Sequence, residues 1–156
     1  MKFTCTKTNF NNGINIALKA VPGKTTMPIL ECVVIEAKGD MVKLTTNDMQ
    51  LGIETKIPAE IEQDGIILVN AKMISEIVRR LPDDDVNFEV DENNNILLFC
   101  GKSKFNIPGI PHDEFPMLPK IEADKTIHIS QFTLKEMIRQ TTVSYTHLRA
   151  HETLSD

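Results

Sequence analysis

The sequence predicts an α+β protein built from a repeated unit of one strand, one helix and three further strands. Short segments of alternating or β-branched residues, separated by turn residues, are typical of antiparallel strands. Segments with apolar residues every three or four positions predict amphipathic helices. This order of elements occurs twice and begins a third time, which indicates an internal repeat.

The first unit starts with a strand at residues 2–6, where apolar and polar side chains alternate. A helix follows and ends at Pro22-Gly23, and its interior Gly13 lowers helix stability by about 1 kcal/mol relative to alanine. The apolar stripe of this helix consists of Phe10, Ile14, Ala17, Leu18 and Val21. Three strands are then predicted, at residues 29–37, 41–46 and 51–57.

The second unit has a strand at residues 66–69 and a helix for which Asn70 is the predicted N-cap. Leu81-Pro82 ends this helix, because proline cannot continue it. Its apolar stripe consists of Met73, Ile74, Ile77, Val78 and Leu81. Three strands are again predicted, at residues 86–90, 96–100 and 104–108.

Four prolines between residues 108 and 119 predict an irregular segment and the end of a first domain near Lys120. Beyond it, residues 126–129 alternate and predict a strand, and Ser130 is the predicted N-cap of a third helix. A shift of 60 residues aligns this segment with the second unit. The identical pairs are Ile67 and Ile127, Glu76 and Glu136, and Arg79 and Arg139.

Composition argues against a membrane or secreted protein. The longest apolar run, Ile96 to Cys100, is far shorter than the roughly 20 residues of a membrane helix, and the N-terminus lacks the apolar core of a signal peptide. The three cysteines are odd in number and have apolar neighbours, which favours reduced thiols. We therefore expect a cytoplasmic protein.

The charge distribution is uneven. The net charge of −5 by itself argues against a nucleic-acid partner. However, the three segments that contain the predicted helices, counting the first from Lys7 to Lys24, carry eight basic and two acidic residues, whereas the remainder carries nine and twenty. If the helices share one side of the molecule, that side is positive and can contact phosphates without reading base sequence.

No pattern in the sequence indicates a catalytic, metal or cofactor site. Asp83-Asp84-Asp85 is more typical of a solvated turn than of a metal site, and His112-Asp113-Glu114 has no nucleophile nearby. His147 and His151 have the spacing of a zinc helix but lack the glutamate that a zinc protease needs. We expect a protein that is not an enzyme and needs no cofactor.

The last residues differ in character from the rest of the chain. The segment from Val143 to Asp156 holds the only tyrosine and two of the four histidines, and it breaks the apolar pattern of the third helix. It resembles the conceptual translation of a transposon-end sequencing adaptor. We therefore expect residues 143–156 to be non-native and exclude them from functional reasoning.

Several stretches of the sequence together resemble the bacterial β sliding clamp family, the processivity subunits of the replicative DNA polymerase. The resemblance extends from Met1 to about Thr141. It depends on the order and spacing of the stretches rather than on any one of them. They are Met1-Lys2-Phe3-Thr4, Met27-Pro28-Ile29-Leu30, Thr45-Thr46-Asn47-Asp48-Met49, the helix from Lys72 to Pro82, Gly101-Lys102-Ser103-Lys104-Phe105 and Asp113-Glu114-Phe115-Pro116.

The resemblance implies a DNA clamp fold with two βαβββ repeats per domain, helices on the inner face and antiparallel sheets on the outer face. Two chains of three domains each would close a ring around double-stranded DNA. Residues 1–120 would form the first domain and residues 121–142 the linker and the start of the second. The implied DNA-binding residues are Lys24, Lys72, Arg79 and Arg80, and the implied homodimer-contact residues are Phe105, Ile107 and Met73.

The resemblance also implies a non-catalytic role, in which the ring tethers the polymerase to DNA. Polymerase and clamp-loader subunits would bind through domains that this chain does not contain, so we expect the chain alone neither to encircle DNA nor to recruit polymerase. Two alternatives remain open at this point. One is a protein-interaction adaptor without a DNA role, and the other is a metal-dependent hydrolase that uses the acidic clusters.

Overall fold

The computed structural model describes the backbone from Met1 to Leu154 and the side chains as far as Val143. Contacts divide the chain into two units, Met1–Pro119 and the residues from Lys120 onward. Among the described residues, none of the helices combines the length and the hydropathy required to cross a bilayer.

The first unit is built from strands and two helices, and the second contains one helix. The strands are β1 Lys2–Thr6, β2 Cys32–Lys38, β3 Met41–Asn47, β4 Gly52–Pro58, β5 Glu60–Gln63, β6 Gly65–Asn70, β7 Asp85–Val90, β8 Asn95–Cys100 and β9 Ser103–Pro108. The helices are α1 Lys7–Ala17, α2 Ala71–Arg80 and α3 Gln131–Leu154. Two short 3-10 turns span Leu18–Ala20 and Pro28–Glu31.

The strands form two antiparallel sheets in which the two repeats exchange their first strands. The strand orders are β5-β1-β7-β8-β9 and β4-β3-β2-β6. Strand β1 of the first repeat pairs with β7 of the second, and β6 of the second pairs with β2 of the first. The structure confirms the α+β class, and the exchange joins the two repeats into one domain.

One hydrophobic core holds both helices against both sheets. Its centre includes three phenylalanines from three different elements. The rings of Phe3 on β1 and Phe88 on β7 stack at 4.8 Å between centroids, and Phe10 of α1 meets both rings edge-on. Helix α2 contributes Ile74 and Val78, both fully buried.

Gly13 is the position at which α1 approaches the four-stranded sheet. A Cβ atom at residue 13 would lie 2.8 Å from Ile57 and 2.9 Å from Leu44. These distances are shorter than ordinary van der Waals contact. The glycine that weakens the isolated helix therefore permits its close packing.

The structure differs from the sequence predictions at four places. The first helix, predicted to end at Pro22-Gly23, ends at Ala17 and is followed by a 3-10 turn at Leu18–Ala20. Residues 28–31 form a 3-10 turn, so the strand predicted at residues 29–37 begins only at Cys32. Strand β5 was not predicted, because four residues with a single inward side chain, Ile61, give too short an alternation. The strand predicted at residues 126–129 is absent. No described segment pairs with it, and Ile127 is 92% exposed.

The predicted helix starts are borne out in α2 and α3. The Asn70 side chain accepts a hydrogen bond from the Met73 N–H at 2.9 Å, and the Ser130 hydroxyl accepts one from the Thr133 N–H at 3.1 Å. The backbone of α3 continues to Leu154, so the unusual residues after 142 do not end the helix. The side chains from 144 onward, and residues 155 and 156 altogether, lie outside the described part of the chain.

Candidate nucleic-acid interface

Helix α2 presents most of the predicted DNA-binding side chains. It buries Ala71, Ile74 and Val78 against the core, and the helical period then turns Lys72, Arg79 and Arg80 to solvent. Arg79 and Arg80 lie in the last turn, where cations interact favourably with the helix dipole.

Lys24, the fourth predicted DNA-binding residue, lies on the loop between the two 3-10 turns rather than on a helix. Its side chain is exposed. The loop is shaped by Thr25, whose hydroxyl oxygen accepts a hydrogen bond from the Met27 N–H at 3.0 Å. Lys24 therefore adds a cation on an element separate from α2.

The helix and loop cations have no acidic partner. Within the described side chains, Lys24, Lys72, Arg79 and Arg80 form no ion pair at 4.0 Å or less. Their charge is not neutralised inside the first unit. Such cations are available to an external anion such as a phosphate.

Two lysines on the strands behave differently. Lys2 lies 3.2 Å from Glu62 and 3.3 Å from Glu89, and Lys43 lies 2.9 Å from Glu36 and 3.8 Å from Glu54. Hydrogen bonding to these carboxylates raises the pKa of both lysines above the ordinary value. The charges of Lys2 and Lys43 are thus neutralised within the fold, whereas Lys38, Lys56 and Lys104, also on strands, form no ion pair within the described side chains.

The predicted dimer-contact residues lie on two elements. Phe105 and Ile107 are on β9, at one edge of the five-stranded sheet, and Met73 is on the exposed side of α2. Ile107 is 1% exposed and packs in the core, so its side chain has no surface to offer a partner. Phe105 is half-buried, and Met73 is 43% exposed.

Residues 45–49, which the sequence singled out, have structural roles. The Thr46 hydroxyl donates to the Ala17 carbonyl at the end of α1, and the Asn47 amide donates to the Pro116 carbonyl at 2.8 Å. Asp48 accepts from the N–H groups of Leu51 and Gln50, which lowers the pKa of its carboxyl group. These residues join α1, β3 and the proline-rich segment.

The acidic and cysteine positions show no metal-binding arrangement among the described residues. Asp84 accepts a hydrogen bond from the Asp85 N–H within its turn, and His112 lies 3.9 Å from Asp113 on the surface. Burial raises the pKa of the Cys5 thiol to about 12, so the thiol stays protonated at neutral pH. His147 and His151 lie outside the described side chains.

Comparison with known proteins places these features in one family. Residues 1–119 match the family model for the N-terminal domain of the DNA polymerase III beta subunit. The chain is 40% identical to the beta sliding clamp of Bacillus subtilis over 149 residues, which cover 90% of this chain and 39% of that protein. The chain thus spans about 39% of the length of this relative.

Solved structures agree with this match. A DNA polymerase III beta subunit from Eubacterium rectale is 52% identical, with a TM-score of 0.86, and the match covers 90% of this chain and 38% of that one. The Bacillus subtilis DNA polymerase sliding clamp is 39% identical, with a TM-score of 0.86, covering 90% of this chain and 39% of that one. The chain therefore belongs to the DNA polymerase III beta subunit family, of which it matches the N-terminal domain.

Proposed function

We propose that this chain supplies the first domain of a bacterial sliding clamp, a non-catalytic processivity factor that encircles duplex DNA and tethers the replicative polymerase. Family membership and the unpaired cations of α2 and of the loop that carries Lys24 support the proposal. The observation that carries it is that Lys72, Arg79 and Arg80 are exposed together on one helix and form no ion pair within the described side chains. An unneutralised positive face is the feature that phosphate binding requires.

The proposed contact is electrostatic and independent of base sequence. Lys24, Lys72, Arg79 and Arg80 would meet phosphates, and no exposed aromatic side chain accompanies them within the first unit. A closed ring retains DNA by topology, so individual contacts can remain weak and mobile. Weak contacts allow sliding while the tethered polymerase stays at a high effective concentration.

The proposed domain division puts the first clamp domain at residues 1–120 and the start of the second at residues 121–142. The separation of contacts after Pro119 and the end of the family match at residue 119 support it. Residues 143–156 are proposed to be a non-native tail, since their composition departs from that of the rest of the chain.

The proposed dimer contact uses the free edge of β9, with Phe105 as its apolar side chain and Met73 of α2 as a further contact residue. Ile107 would support the strand from within the core rather than touch the partner. The homodimer, the polymerase and the clamp loader would be the partners of the full-length protein, in the bacterial cytoplasm.

Salt-dependent DNA binding tests the proposal. The chain and its Lys72→Glu variant are titrated with a short fluorescent duplex at several low salt concentrations. Lys72→Glu is expected to weaken binding roughly three- to tenfold and to reduce the slope of log affinity against log salt by about 0.9 or more, because a phosphate contact is lost.

The matched control is Lys56→Glu, which changes the charge equally at an exposed position on β4. It is expected to leave the affinity within about twofold, because the altered charge lies on a strand and not on the proposed phosphate-binding face. Equal losses in the two variants would overturn the proposed face. Absence of salt-dependent binding in the unmodified chain would favour the adaptor alternative instead.

A further inference from the structure

The acidic residue Glu76 lies in the middle of the basic face of α2. We propose that Glu76 competes with DNA phosphates for Arg79 and so keeps the contact between this domain and DNA weak. The inference rests on the proposed function, since it concerns the same face. In this proposal an acidic side chain, and not only the basic ones, sets the strength of DNA binding.

Helical geometry places Glu76 between the cations. At about 100° per residue, Lys72 and Arg79 lie within about 20° of one another around the helix axis, and Glu76 lies about 40° from Lys72. Arg80 lies about 80° from Lys72, on the other side of Glu76. Lys72, Glu76, Arg79 and Arg80 are all exposed, so a phosphate that approaches the cations also approaches the carboxylate.

Helix α3 contains a glutamate and an arginine at the same spacing, and there the two side chains are bonded to one another. Glu136 and Arg139 occupy the positions that align with Glu76 and Arg79 after the 60-residue shift. There the guanidinium is bidentate on the carboxylate, with Nη2–Oε2 at 2.8 Å and Nε–Oε1 at 3.3 Å. In α2 the corresponding pair is not formed, although the spacing and the helical backbone are the same. The α3 pair shows that a glutamate and an arginine at this spacing can bond to one another, whereas the side chains of Glu76 and Arg79 stay apart in α2.

The two side chains of α2 can stay apart because an exposed pair of this type is weak. When Arg79 turns to Glu76, it is withdrawn from the phosphate. When it turns to a phosphate, the carboxylate is left nearby and repels the DNA. Either way, Glu76 reduces the net attraction of this face for DNA without removing a cation from it.

The decisive variant is Glu76→Gln, which keeps the shape and hydrogen-bonding capacity of the side chain but removes its charge. In duplex titrations of the whole chain at low salt, it is expected to bind about two- to fivefold more tightly. The slope of log affinity against log salt is expected to become steeper, because Arg79 then contacts phosphate more of the time.

Glu92→Gln is the matched control, because Glu92 is also exposed and lies on the turn between β7 and β8. It changes the net charge equally, so a general charge effect would tighten binding in both variants alike and would overturn the proposal. Unchanged affinity in Glu76→Gln would also overturn it, while the losses expected for Lys72→Glu would leave the proposed function standing. Thermal unfolding of each variant checks that the fold is intact.

A second measurement tests the mechanism without relying on affinity. The NMR signal of the Arg79 Nε–H group reports on its partner. Addition of duplex is expected to shift this signal in the unmodified chain, and to shift it further in Glu76→Gln, because the guanidinium then contacts phosphate more of the time. An equal shift on DNA addition in the two proteins would mean that the carboxylate does not compete with phosphate for Arg79, and would contradict the proposal.

Discussion

Two lysines at the centre of the sheets and the cations of helix α2 differ in whether the fold neutralises their charge. Lys2 and Lys43, on β1 and β3, each contact two glutamates, whereas Lys72 and Arg79 have no acidic partner among the described residues. Charge pairs on the strands are part of the folded structure. The cations on α2 contribute little to it and remain available to a ligand. The difference separates residues that stabilise the domain from residues that equip it for binding.

The largest loss of stability is expected from a substitution in the hydrophobic core against which the strands and α2 pack. Phe88→Ala removes a fully buried ring that contacts Phe3 and Phe10, and is expected to lower the free energy of unfolding by about 3–5 kcal/mol. Urea denaturation measures the loss. Phe132→Ala is the control, since Phe132 is 74% exposed on α3, and it should change stability by less than about 0.5 kcal/mol. Equal effects would contradict the observed core.

A pair of neighbouring threonines tests how α1 is joined to the sheet. Thr46→Val leaves the Ala17 carbonyl without its buried hydrogen bond and is expected to cost about 1–3 kcal/mol. Among the described side chains, the Thr45 hydroxyl is buried and has no hydrogen-bond partner. Thr45→Val is therefore expected to be neutral or to stabilise by up to about 1 kcal/mol. The reverse order in urea denaturation would refute these assignments.

Removal of single lysine charges tests whether a paired lysine contributes more to stability than an unpaired one. Lys43→Met leaves Glu36 and Glu54 without their shared cation and is expected to cost up to about 1 kcal/mol, because partly exposed pairs are weak. Lys72→Met removes no intramolecular pair and should change stability by less than about 0.5 kcal/mol. If the α2 lysine proved the more costly to remove, the separation of stabilising and binding charges would be wrong.

The smallest effect concerns acid sensitivity. Hydrogen bonds from the N–H groups of Leu51 and Gln50 lower the pKa of Asp48 in the folded state, so its stabilising contribution is present above the unfolded pKa of about 3.9. It is lost as the pH falls through the lower, folded pKa. Asp48→Asn should therefore flatten the dependence of the melting temperature on pH between about pH 5 and pH 2. An unchanged slope would show that the carboxylate is not bound to the turn.

The sequence predicted the local elements of the first unit well, because each depends on short-range patterns. The cap at Asn70, the end of α2 at Leu81-Pro82 and the strands β7 to β9 follow from neighbouring residues alone. The candidate cations were also visible in the sequence. Their freedom from acidic partners was not, because Lys2 and Lys43 look the same as Lys72 until the strands bring glutamates beside them.

The secondary-structure predictions were wrong where contacts between residues far apart in the chain determine whether a strand forms. Residues 126–129 alternate like a strand but have no described partner to pair with, and β5 forms because β1 lies beside it. The alternation of β9 likewise did not show that Ile107, which the family resemblance offers as a dimer contact, is buried in the core. Periodicity alone does not show which of two faces a neighbouring element will cover.

The sequence by itself determined the α+β class, the repeated unit and the segregation of basic residues onto helices, since these follow from local spacing and composition. Only the tertiary structure decided that the repeats exchange β1 and β6, because strand pairing joins residues far apart in the chain. It also decided which cations are neutralised and which remain free. Charge pairing depends on distances that the fold alone sets, and those distances leave α2 as the face on which DNA binding is to be tested.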